Sequence, residues 1–201
     1  MIWVKKTFKE NTRTQLSLEP ADAEWLVWKK EQKELLSNCF LQNSNSLVIG
    51  IALRNSNSII KVFGEETRLG GDRTYRNLNS DRTTFLSLTV HPGDGYNEVS
   101  IFEVGCSNKI SKGDNFLNYD NFTTEKGIKL GLTKNQIVAA FGNCYHTKDR
   151  IELGIKTIYR IELPQDTKND FLTNQNMPIY YVEYQFKKDK LIRFEFGFEY
   201  P

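Results

Sequence analysis

The sequence predicts an α+β fold: two tandem units, each a short helix laid on an antiparallel β-sheet, preceded by one long amphipathic helix. Three observations predict it. Aromatic residues make up 12% of the 201-residue chain, with thirteen Phe and nine Tyr, and such flat side chains favour pleated surfaces where they pack across strands. Apolar–polar alternation occurs in two pairs of segments, 85–90 with 98–104 and 180–186 with 191–198, the pattern of two β-hairpins. Finally, four blocks of the chain recur in the same order in its two halves.

The long helix is expected over residues 20–41. Pro20 suits a first helical turn, and Asp22 and Glu24 follow at the positive end of the helix dipole. Trp25, Trp28, Gln32, Leu35, Leu36, Cys39 and Phe40 recur at three- and four-residue spacing, so one mostly apolar face turns inward. Trp25 and Trp28 are also candidate binding residues, should that face dock on a partner. Asn43-Ser-Asn-Ser46 then breaks the pattern.

The duplication begins where this helix ends. Gly50-Ile-Ala-Leu53 is answered by Gly127-Ile-Lys-Leu130, and Asn57-Ser-Ile-Ile-Lys-Val-Phe-Gly64 by Asn135-Gln-Ile-Val-Ala-Ala-Phe-Gly142. Tyr75-Arg76 corresponds to Tyr159-Arg160, and Val99-Ser-Ile-Phe-Glu-Val-Gly105 to Leu191-Ile-Arg-Phe-Glu-Phe-Gly197. Ser56 and Thr133 stand as expected N-caps of the short helices, and Gly64 and Gly142 as their left-handed ends. The resulting organisation is an N-terminal segment 1–46, a first unit 47–105, a polar linker 106–122 and a second unit 123–201. Residues 164–176 read as a loop interrupting the second sheet. The second hairpin turns tightly through Lys187-Lys-Asp-Lys190, whereas the first carries the longer His91-Pro-Gly-Asp-Gly-Tyr96, which predicts a protruding tip.

Charge and composition exclude several classes of function. Lys and Arg total 27 against 25 Asp and Glu, a formal charge of +2, which makes no electrostatic case for nucleic acid or a membrane surface. No apolar run approaches the roughly 20 residues that span a bilayer. The start, Met1-Ile-Trp-Val-Lys-Lys6, has no apolar signal core; an extracytoplasmic home is expected if Met1 replaces a removed signal peptide, and a cytoplasmic one otherwise.

Three cysteines without a C-x-x-C spacing predict neither a zinc site nor another cofactor. A Cys39–Cys106 disulfide is open to an exported chain, with three inert thiols as the simpler expectation. Only His91 and His146 are available as bases, and Cys144 with His146, two apart on an expected strand, forms the one candidate nucleophile pair. Glu183 and Glu195 are expected to neighbour each other across the second hairpin. Glu103 and Glu195, equivalent in the two units, are expected to pair with Arg193 or a lysine.

Residues 127–142, Gly-Ile-x-Leu-Gly-Leu-Thr-x-x-Gln-Ile-x-x-x-Phe-Gly, resemble the repeat of β-lactamase inhibitory protein, and are similar to the small outer-membrane assembly lipoproteins of the SmpA/OmlA family. The tandem arrangement looks more like the inhibitor family. That resemblance implies a concave sheet surface and a first-hairpin tip of the type Gly-Asp-x-Tyr, here Gly93-Asp94-Gly95-Tyr96. Cys144 lacks the downstream cysteine with which the inhibitor staples each repeat, and no cysteine near Met1 matches the lipoprotein's acylation site. The expectation is therefore a non-catalytic protein-binding module of the cell envelope or secreted fraction, with inhibition as one form such binding takes. It would act through a concave aromatic sheet face or through the tip, with His91, Asp94 and Tyr96 as candidate binding residues. The alternative is a small-ligand receptor or enzyme using an inter-unit cleft with Cys144 and His146.

Overall fold

A computed structural model describes residues 47–71, 73–142, 146–150, 154–162 and 170–199. The expected helix over 20–41 with Trp25, Trp28 and Cys39 lies outside the described residues, as does Cys144.

The chain enters through a two-residue pair, β1 (Leu47–Val48) and β2 (Ile51–Ala52), and continues into helix α1 (Ser56–Phe63). Three strands follow: β3 (Arg73–Leu78), β4 (Thr84–Val90) and β5 (Ile101–Cys106). The short strand β6 (Asn115–Phe116) precedes helix α2 (Lys134–Phe141). Then come β7 (His146–Arg150), β8 (Gly154–Glu162), a one-turn helix α3 (Asp170–Asn174), β9 (Ile179–Lys187) and β10 (Lys190–Glu199). The larger sheet has eight strands in the order β6-β3-β4-β5-β10-β9-β8-β7. All its pairs are antiparallel except β3 with β6. The fold is therefore α+β with a mostly antiparallel, mixed sheet and few helices.

Period-two alternation decides which side of the sheet is covered. Leu86, Leu88 and Val90 of β4, Phe102 and Val104 of β5, Phe194, Phe196 and Phe198 of β10, and Tyr180, Val182, Tyr184 and Phe186 of β9 are all buried in one cluster. Each such side chain contributes about 1.5–3 kcal/mol relative to full exposure. Phe102 and Phe196, opposite each other across β5 and β10, have ring centroids 5.3 Å apart, so the core runs without interruption through the middle of the sheet. Ile59 of α1 and Ile137 and Phe141 of α2 join the cluster, and the Phe141 ring lies 5.7 Å from that of Tyr184. The aromatic side of the sheet is thus packed into the core and does not stand free as the expected aromatic face, because the strand aromatics occupy the positions that meet the helices.

Helix ends follow their caps, with one correction. Thr133 caps α2 through a reciprocal capping box: its hydroxyl accepts the Gln136 backbone N–H and the Gln136 side chain accepts the Thr133 N–H. At α1 the cap is Asn55, whose side chain accepts the Ser58 backbone N–H at 3.1 Å, and Ser56 is already the first helical residue. Asn55 holds the extended backbone, φ −125° and ψ 93°, that a capping residue adopts. Gly64 and Gly142 end the two helices with positive φ, donating to Ile60 and Val138 carbonyls at 2.8 and 2.7 Å.

Two segments read as irregular contribute structure. Within 106–122, β6 pairs with β3 and forms the edge of the sheet, and Arg76 pins the loop before it by donating to Asp114 at 2.5 Å and to the Ser107 hydroxyl at 2.8 Å. The Ser111 backbone N–H, then Arg76, hold the Asp114 carboxyl below the usual carboxylate range. In 170–176, α3 buries Leu172 and sets Phe171 edge-on to Tyr180, centroids 5.2 Å apart.

Candidate interaction site

The ten-residue connection 91–100 between β4 and β5 is held from several sides. Arg54, immediately before the α1 cap, donates to Asp94 Oδ1 at 2.6 Å and lies 3.4 Å from Glu98 Oε2. Asp94 Oδ2 in turn accepts the Ser100 hydroxyl at 2.5 Å and the His91 backbone N–H at 3.3 Å. Asn97 takes a left-handed conformation, φ 65°, and exchanges two bonds with Leu69: each backbone N–H donates at 2.7 Å, one to a carbonyl and one to the Asn97 side chain. The Asn97 amide also donates to the Thr67 carbonyl at 2.9 Å. His91 Nε2 lies 3.3 Å from the Phe198 carbonyl oxygen, which ties the turn to β10.

This scaffold separates the candidate residues of the turn. Asp94, with a side chain only 2% exposed, faces inward as the acceptor for Arg54. His91 is half-buried on β10. Tyr96 is 71% exposed, the most exposed of the large apolar side chains described. Its ring lies along Gly70, where an added Cβ would come within 2.9 Å of it, and both Gly70 backbone groups bond to the Tyr75 hydroxyl at 2.9 Å. Arg54, which positions the turn, has no signature in the sequence, because its partners are 40 and 44 residues away.

A second polar constellation occupies the centre of the sheet on the side opposite the aromatic core. Ser87, Glu103, Glu195 and Glu183 stand in register across β4, β5, β10 and β9, which places three carboxylates on adjacent strands. Like charges directly opposite one another repel. Arg193 answers two of them, donating from Nε to Glu103 at 2.6 Å and from NH2 to Glu195 at 2.7 Å. Tyr181 donates to Glu195 at 2.5 Å.

Burial pushes the Glu195 carboxyl up, opposed by the Tyr181 hydrogen bond and Arg193 and reinforced by Glu103 and Glu183. Burial also pushes the Tyr181 phenol up, with the Glu195 charge adding to it, so it stays protonated. Burial works against the Arg193 charge, but Glu103, Glu195 and Glu183 together hold its pKa above the ordinary value. The arrangement is an ion-pair network that fixes the seam between β5 and β10.

Among the described residues no group of three His, Cys, Asp or Glu side chains is placed to hold a metal, and no helix is long and apolar enough to cross a membrane. Cys106 carries an exposed free thiol at the end of β5. His146 opens β7 opposite Ile158, but its side chain, like the whole of Cys144, lies outside the described residues. Comparison with protein-family models, curated proteins and solved structures finds no match.

Proposed function

We propose that this chain is a non-catalytic protein-binding module that presents Tyr96 to its partner on a rigid turn. The observation that carries the reading is the contrast within 91–97: a phenol ring 71% exposed on a connection whose neighbouring polar groups are committed to internal bonds. An aromatic anchor held in place before binding loses little conformational freedom on association, which is how a few side chains come to dominate an interface. Inhibition of an enzyme is the form of binding most compatible with an anchor that projects from a turn.

The tandem-repeat reading underlies this proposal and is supported by equivalent bonds. Arg54 N–H donates to the Val99 carbonyl and Gly131 N–H to the Leu191 carbonyl, both at 2.8 Å, and Val99 and Leu191 open the last recurring block. Gly50 and Gly127 both have positive φ, as do Asn97 and Asp189. In the β5–β10 ladder Glu103 faces Glu195, Phe102 faces Phe196 and Val104 faces Phe194, so exchanging equivalent residues of the two units reproduces the same pairing. The Tyr-Arg block is out of step: Tyr75 faces Leu88, whereas Tyr159 faces Val182, the residue that stands to Phe196 as Leu86 stands to Val104.

The test is a photo-crosslinking residue at position 96, introduced in the native host. A discrete adduct with one protein, missing when the same residue is placed at Lys112, is expected. Identical labelling from the two positions would contradict the proposal.

A further inference from the structure

We draw no further inference here: the strongest candidate, the row of carboxylates Glu103, Glu195 and Glu183 on the side of the sheet opposite the aromatic core, is an acidic cluster already engaged by Arg193 and Tyr181, and nothing in the structure shows what ligand or partner would bind it.

Discussion

Glu103 and Glu195 stand directly opposite each other where β5 meets β10, and both accept hydrogen bonds from the one guanidinium of Arg193. Among the described residues this strand pair is the ladder that joins the 73–106 strands to those of 146–199. The middle of the sheet therefore combines a continuous aromatic core on one face with a repulsive carboxylate pair on the other, neutralised in part by Arg193.

That relationship sets a pH dependence. Glu195 has a folded pKa above its ordinary 4.5, with burial the largest cause, so the folded state binds its proton more tightly than the unfolded chain does. Its contribution to stability is fully present below about pH 4.5 and is lost as pH rises through the higher folded value. The stability of wild type relative to Glu195→Gln is expected to fall as pH rises across that window, measured by urea unfolding at a series of pH values. A difference that grows with pH would show that the Arg193 pair outweighs burial.

Arg54 anchors the 91–97 turn against a carboxylate that has almost no contact with solvent. Its removal leaves Asp94 buried without that cation, so Arg54→Ala is expected to cost about 2–4 kcal/mol. In the double-mutant cycle, Asp94→Asn should cost less in the Arg54→Ala background than in wild type, and additive losses would mean that the pair is not coupled.

The two glycines of the recurring C-terminal block differ in what surrounds them. A Cβ at Gly197 would fall against the Ser100 carbonyl oxygen and the Ile101 Cα, which are backbone, whereas one at Gly105 would meet the Phe85 ring at 2.7 Å. A ring edge moves more easily than a strand. Gly197→Ala is therefore expected to destabilise by about 3 kcal/mol or more and Gly105→Ala by about 1–2 kcal/mol, as read from thermal unfolding.

The caps give a finer discrimination. Asn55→Ala and Thr133→Ala should each cost about 1 kcal/mol, and Ser56→Ala less than about 0.5 kcal/mol, by denaturant titration. Equal losses at Asn55 and Ser56 would move the start of α1.

Much of the sheet is legible in the sequence because period-two alternation encodes both strand and face. The segments 85–90, 98–104, 180–186 and 191–198 include most of β4, β5, β9 and β10, and the tight turn at Lys188 and Asp189 has both residues left-handed, φ 50° and 57°, as a two-residue hairpin requires. The neighbouring placement of Glu183 and Glu195 follows from the same periodicity and the tight turn, whereas that of Glu103 depends on β5 pairing with β10. Less legible was anything set by distant partners. Alternation alone does not say which face the helices cover, so it leaves open whether the aromatic face forms the core or stands free beside the tip as a binding surface. Asp94 has the composition of turn chemistry, and the cation that pairs with it on the inner side, Arg54, lies 40 residues earlier. The strand β6 is two residues long and carries no periodicity at all.

Tyr96 is the proposed anchor. Once a partner has been identified by crosslinking at position 96, calorimetric titration with wild type and Tyr96→Ala tests the anchor. Unchanged thermal stability is expected, with affinity lower by about 30-fold or more, the loss of about 2 kcal/mol that removing an aromatic anchor brings. Equal affinities for the two proteins would contradict it.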